Sequence, residues 1–343
     1  MKIVVDKAIP FVEGVFEPFA EVLYKDGPDI CRADLLDADA LIIRTRTRCD
    51  AALLEGTPVK IIATATVSMD NIDQAWCKEH GIFVQNASGC NAGGVTNYVF
   101  SALYGLAARK SISLNDATIG IIGIGTAGSR VQEMALALGF KILRYDPWRA
   151  AKEWHNEFHD LDTLLTGSDV VTLHIPVNDA TRGMANADFF AKMKPGAFFI
   201  NTAQGELVVE EDLIAAIPRL GPVALDTWCH EPDINRELMD LVDIATPHIA
   251  GYTLQGKQIG TSQAIRAVAR FFGLSSLYEF FPTTEIIEYQ AVKIDAHDKT
   301  QGQIASIIQY NYPIFTDDFM FRLNPDRFSE LRADYSYRRE FYF

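Results

Sequence analysis

Short apolar, β-branched runs recur along the chain and alternate with amphipathic or polar stretches. The runs at residues 2–5, 40–45, 59–66 and 81–85 read as strands. Pieces between them, such as Asp34-Leu-Leu-Asp and Asp73-Gln-Ala-Trp-Cys-Lys-Glu-His, read as helical. The alternation resumes at residue 118 with extended patterns at 141–145, 169–174, 197–201, 223–226 and 243–245 and helical ones at 161–165 and 210–217. Strand–helix alternation of this kind predicts parallel α/β sheets, and about six strands from 118 to 245 suffice for a doubly wound one. An apolar helix over 95–108 is placed to cross from a first domain into a second, and a long helix over 255–272 to return. Beyond residue 280 the pattern changes. Residues 281–343 hold 13 aromatics, a density well above the 11% of the whole chain, and so many rings need a surface to bury against.

The most informative stretch is TIGIIGIGTAGSRVQEMALALGFKILRYD, residues 118–146. A β-branched run ends in Gly123-Ile-Gly125-Thr-Ala-Gly128, helical spacing follows at Val131, Met134, Ala135 and Leu138, and a second strand ends at Asp146. In a Rossmann unit Gly123 permits the tight turn, Gly125 lets a pyrophosphate approach the backbone, and Gly128 lets the helix pack on its strand. The helix N-terminus, at Thr126 and Ala127, turns unpaired N–H groups and its positive dipole end toward the phosphates. Asp146, 18 residues beyond Gly128, is placed to accept hydrogen bonds from a ribose and to repel a 2′-phosphate, which favours NAD over NADP. Arg144 and Arg149 flank it and keep NADP open.

A chain of 343 residues calls for two or three domains. The formal net charge of −14 argues against a nucleic-acid or anionic-membrane partner, so an anionic substrate needs a local basic cluster. Arg44-Thr-Arg46-Thr-Arg48 is such a cluster: an anion site if it forms a loop, a solvated edge if it continues as a strand. No signal-peptide pattern or membrane span is evident, and five scattered cysteines suit a reducing compartment, so a cytoplasmic protein is expected. Residues 63–66 close a strand on small side chains and hydroxyls, leaving room for ligand near Thr66, while Asp70 or Asn71 is expected to cap the next helix.

For proton transfer the candidate is His248, at a strand end before a Gly-Tyr turn, with Glu231 upstream as its orienting carboxylate. His230 is a rival orienter and His174 is expected to line the cofactor cleft. His155 and His159 have metal-compatible spacing but no third ligand nearby, and no metal is expected.

Together these residues resemble the D-2-hydroxyacid dehydrogenase family over about residues 1–275. The carriers are the glycine motif with Asp146, Asp70-Asn-Ile-Asp73, Asn201-Thr-Ala-Gln-Gly205, Asp226 with Glu231-Pro232, and Thr246-Pro-His248-Ile-Ala-Gly-Tyr252. A closer likeness, to a member acting on a phosphorylated hydroxyacid, adds Ala63-Thr-Ala-Thr66, Ser88-Gly-Cys-Asn-Ala92 and Leu331-Arg-x-x-Tyr335-x-x-Arg-Arg-Glu340. The resemblance implies a Rossmann NAD domain (94–254) inserted into a flavodoxin-like substrate domain (1–93 and 255–280), with a small α+β homodimerisation domain at 281–343. It implies oxidation of a small anionic phosphorylated 2-hydroxyacid, His248 being the acid/base and Glu231 its partner. Thr45, Arg46, Thr66 and Tyr252 would touch substrate; Thr126, Ala127, Asp146, His174, Ile175, Thr202, Ala203, Asp226 and Gly251 would line NAD. One departure stands out, because the family's substrate-binding arginine is here Gln204. A neutral amide forgoes about 1.5–3 kcal/mol of charge-assisted bonding, roughly ten- to hundredfold in rate. Another phosphohydroxyacid such as 3-phosphoglycerate, or a non-catalytic NAD sensor, therefore stays open.

Overall fold

A computed structural model describes residues 1–153, 157–283 and 290–343. His155 lies outside them. The chain divides into two compact units: Met1–Asn91 with Thr253–Gln290, and Ala92–Tyr252 with Ala291–Phe343.

In the first unit, strands β1 (Lys2–Asp6), β2 (Glu21–Lys25), β3 (Ala40–Ile43), β4 (Ile61–Thr64) and β5 (Phe83–Gln85) form one parallel sheet in the order β2-β1-β3-β4-β5. This is the flavodoxin-like order. Its central strands are buried on both faces, which explains their unbroken apolar runs. Ile3, Val5, Ile42 and Ile61 face Ala264, Ile265 and Val268 of the helix Leu254–Phe272; Val4, Leu41, Ile43 and Ile62 face Leu35, Leu53 and Cys77. That helix starts at Thr253, whose hydroxyl accepts the Gly256 N–H at 3.0 Å, and ends at Gly273 with φ of 74°. Gly260 brings it against β4, since a Cβ there would stand 2.5 Å from the Ala65 carbonyl oxygen.

In the second unit, β6 (Thr118–Ile122), β7 (Lys141–Tyr145), β8 (Val170–Leu173), β9 (Phe198–Asn201), β10 (Val223–Leu225) and β11 (Ile244–Ala245) form a parallel sheet ordered β11-β10-β9-β8-β6-β7. The chain reverses direction across the sheet at β6, so the crevice beyond β6 and β8 is its switch point. One face packs on the helices Ala92–Arg109 and Thr126–Ala137 and the other on Phe189, Phe190, Leu213 and Leu238.

The aromatic tail finds its surface here. Ile304, Ile308, Tyr312, Ile314 and Phe341 join the core around Ala92–Arg109, and Phe321 and Phe328 join the core on the opposite face. Asn97 substitutes for a strand neighbour, donating to the Phe341 carbonyl at 2.8 Å and accepting its N–H at 3.0 Å. The tail also pairs β12 (Val292–Lys293) with β13 (Phe341–Tyr342) in parallel. Residues 291–343 group with Ala92–Tyr252, and their side chains join the cores of that unit. Helix Ala92–Arg109 is accordingly buried nearly all round, between sheet and tail.

Other differences are local. β2 escapes the sequence pattern, because EVLYK is a half-buried edge strand with a charge at each end. Asp73, rather than Asp70 or Asn71, caps the following helix, accepting the Trp76 N–H at 2.9 Å.

Candidate active site

The glycine turn of the second unit has the form that its spacing predicts. Gly123 has φ of +91°, and a Cβ on it would lie 2.6 Å from the His174 carbonyl oxygen and from Ile175 Cγ2. The turn after β6 is thereby pressed against the end of β8 at His174-Ile175. At Gly128 a Cβ would overlap the Gly123 carbonyl, so the helix lies directly on the turn. Gly125 has nothing within 4 Å of its Cβ position, leaving open space above the turn. The first N–H groups of Thr126–Ala137 have no intrahelical acceptor and remain available to an anion.

Asp146 caps the short helix Pro147–Ala150, accepting the Arg149 N–H at 3.0 Å, and its other oxygen accepts the Ile124 N–H at 2.9 Å. Each oxygen keeps a lone pair for a ribose hydroxyl. Arg149 donates to the Ile124 carbonyl at 2.7 Å and forks onto Glu153, and Arg144 pairs with Glu157 at 2.9 Å. Both flanking cations are thus already engaged by carboxylates, which weakens the case for a 2′-phosphate. Beyond β9, Thr202 buries its hydroxyl without a partner among the described residues, and Ala203 donates to Asn201 at 3.0 Å. The open turn, the free donors and the orphaned hydroxyl all fit a bound dinucleotide.

His174 is only partly exposed and its Nε2 lies 3.0 Å from Thr172 Oγ1. Loss of solvent pushes its pKa down to about 3. The unfolded chain takes up a proton near pH 6.5 whereas the folded one does not, so this group subtracts stability as pH falls from 6.5 toward 3. His174→Gln is expected to recover up to about 2 kcal/mol at pH 5 relative to its effect at pH 8. Denaturant melts at the two pH values measure this, and equal effects would refute it.

The proton-handling pair is assembled. Glu231 Oε2 accepts a hydrogen bond from His248 Nδ1–H at 2.8 Å, while Oε1 accepts the Trp228 N–H at 3.1 Å. With Nδ1–H so held, Nε2 is the free base. His248 has φ of +57°, a left-handed backbone that costs about 1–3 kcal/mol unless its surroundings impose it. Asp226 imposes it. Its backbone carbonyl accepts the His248 N–H at 2.8 Å, and its carboxylate accepts Thr246 Oγ1, Ile249 N and Ala250 N at 2.7–2.8 Å. The resemblance assigns Asp226 to NAD; in the structure it is wholly buried with these bonds inside the protein, and burial raises its pKa. These bonds hold the loop at Ile249 and Ala250. His230, which also has positive φ (59°), makes no such contact with His248.

The loop is clasped from the tail as well. Arg338 donates to the carbonyls of Ile249 at 3.1 Å, Tyr252 at 3.3 Å, Gly94 at 3.2 Å and also Ala250, with its guanidinium 3.9 Å over the Tyr312 ring. Tyr252 packs its ring against Tyr335 and Tyr337. Sequence reading missed this role; Arg338 appears there only as part of the quoted tail motif.

Gln204 begins the turn after β9. Its carbonyl accepts the Asn201 side chain at 2.8 Å, and the adjoining Gly205 lies so close to Trp228 and Cys229 that a Cβ would overlap their backbone. Position 204 therefore neighbours the segment leading to Glu231.

In the first unit, Thr45 and Arg46 stand exposed on a loop, not a strand, at the C-terminal end of β3, beside the end of β1 at that sheet's switch point. Arg44 donates to the Ala8 carbonyl at 3.1 Å, and Asn71 braces the loop through the Arg44 and Thr47 carbonyls at 3.0 and 2.6 Å. Arg48 pairs with Asp50 at 2.7 Å. Thr66, beyond the adjacent β4, shares a 2.7 Å hydrogen bond with Thr64. Thr45, Arg46 and Thr66 thus lie at the C-terminal ends of the neighbouring strands β3 and β4. Among the described residues no cluster of three His, Cys, Asp or Glu side chains could hold a metal, and no helix is long and apolar enough to cross a membrane.

Comparison with known proteins agrees with this geometry. Residues 101–250 match the D-isomer specific 2-hydroxyacid dehydrogenase, NAD binding domain. The chain is 39% identical to erythronate-4-phosphate dehydrogenase of Bacteroides fragilis, covering 99% of this chain and 97% of that protein. It is equally 39% identical to the enzyme of that name from Escherichia coli O127:H6, over 99% and 92%. Among solved structures, NAD+-bound 3-phosphoglycerate dehydrogenase of Entamoeba histolytica superposes with a TM-score of 0.67 at 28% identity, covering 82% of this chain and 99% of that one.

Proposed function

The chain belongs to the erythronate-4-phosphate dehydrogenase family of D-2-hydroxyacid dehydrogenases, and we propose that it oxidises the 2-hydroxyl of 4-phospho-D-erythronate to 2-oxo-3-hydroxy-4-phosphobutanoate, a step toward vitamin B6. The observation that carries the reading is the 2.8 Å His248–Glu231 pair in the same unit as the open glycine turn. NAD, when bound, supplies the hydride acceptor. The residues do the rest. His248 Nε2 takes the hydroxyl proton as C2 loses its hydride, and Glu231 stabilises the imidazolium that results. Thr202, Ala203, His174 and Ile175 are the walls against which the nicotinamide end would rest, and Asp146 takes the ribose. Thr45, Arg46 and Thr66 of the first unit offer donors to an anionic group of the substrate.

The exposed Tyr310, Phe319, Met320 and Leu323 of the tail support a homodimer formed through this segment. Five free thiols support a cytoplasmic setting.

Gln204 bears on rate. Gln204→Arg is expected to raise kcat/KM ten- to hundredfold by adding a charge-assisted bond to the substrate carboxylate. An unchanged value would show that another group already fills that role. Substrate identity is tested by comparing kcat/KM for 4-phospho-D-erythronate and 3-phosphoglycerate: a higher value for the second would replace the first as substrate.

A further inference from the structure

We propose that Arg332, on the C-terminal segment, is a positioning residue for the proton-transfer pair: it pairs with the Glu231 oxygen that orients His248, and its charge opposes a positive charge on that ring. Arg332 lies in the helix Phe328–Ala333, and its Nη1 stands 3.7 Å from Glu231 Oε2, the oxygen that also receives His248 Nδ1. That distance is an ion pair without a hydrogen bond, so Arg332 adds charge while leaving the 2.8 Å bond to His248 intact. Arg332 is 31% exposed and Glu231 only 19%, so solvent screens the pair incompletely. Nε of Arg332 is buried with no hydrogen-bond partner among the described residues. From the β9 side the neighbouring position is the neutral Gln204, and among the described residues Arg332 is the arginine or lysine within 4 Å of the Glu231 carboxylate.

The charges facing His248 define the effect. Glu231 and Asp226 favour its protonated form; Arg332, and Arg338 through its bonds to the Ile249 and Ala250 carbonyls, oppose it. An imidazolium cannot accept the substrate proton, and Arg332 places a positive charge at the Glu231 oxygen against its formation. The tail thereby takes part in setting the acid–base chemistry. Beyond the proposed oxidation, this assigns a role to a residue outside the sheet that carries the pair; its meaning rests on that reaction, but its test does not.

The test is an NMR titration of full-length protein labelled with ¹³C,¹⁵N-histidine, the His248 signal being assigned with His248→Gln. Arg332→Gln is expected to raise the His248 pKa by about half to one unit, and Arg332→Lys to leave it close to wild type. If Arg332→Gln does not fold, Arg332→Met, which keeps the apolar stem, gives the same comparison. An unmoved His248 pKa in the neutral variants overturns the proposal. In turnover, the pH at which kcat/KM rises should move up by the same amount with the high-pH plateau retained; a uniform loss at every pH would mark a merely structural role. Absence of turnover in the unaltered enzyme would count against the proposed reaction alone, since the titration still decides the role of Arg332.

Discussion

Replacing His248 with alanine is expected to lower kcat by about 10²–10⁴-fold while leaving NAD affinity within a few-fold. Nε2 of His248 is the base that the local geometry frees: Nδ1 is committed to Glu231, and the backbone is locked by bonds from the fully buried Asp226. The glycine turn that would hold the dinucleotide draws on β6, β8 and the helix Thr126–Ala137, none of which contacts the imidazole through the bonds described. Activity and binding should therefore separate. Steady-state kinetics beside NADH fluorescence titration measure both, and a His248→Ala enzyme retaining a tenth of its turnover would remove the histidine from the chemistry.

The second large effect concerns the turn. Gly128→Ala is expected to weaken NAD binding at least 100-fold and to lower the melting temperature by several degrees. Its Cβ would overlap the Gly123 carbonyl, a backbone atom that cannot swing aside, so turn and helix must part. Gly125→Ala is the matched control. Its φ is −74° and nothing lies within 4 Å of the new methyl, so stability should hold, yet the methyl occupies space above the turn where phosphate would sit. Calorimetric melts and NAD titrations of both variants distinguish these cases. Normal NAD binding by Gly128→Ala would contradict the placement of the cofactor.

These two expectations rest on features legible in the sequence. The glycine spacing states its own geometry, because each glycine answers a steric demand within one turn. The strands of both sheets were equally legible wherever both faces are buried, as in Ile119–Ile122, where the whole run must be apolar. β2 was not, because an edge strand needs neither continuous apolarity nor alternation. The brace of the 44–48 loop by Asn71 was hidden because a side-chain amide serves a cap or a distant carbonyl equally well. The tail was the least legible part. Its aromatic density announced a buried surface, but nothing in the local pattern of residues 291–343 says that the surface is helix Ala92–Arg109 of the second unit. Arg332 and Arg338 lay inside a recognised motif, yet their partners are about 90 to 100 residues earlier in the chain, at Glu231 and at the loop after His248. Long-range pairing of this kind leaves no periodic trace.

The most direct measurement incubates purified protein with 4-phospho-D-erythronate, NAD and a 2-oxo acid to reoxidise any retained NADH, and follows the 2-oxo product by mass spectrometry. Formation of 2-oxo-3-hydroxy-4-phosphobutanoate by the unaltered chain, and its loss in His248→Ala, is the expected result. No product from protein that binds NAD would contradict the proposed oxidation.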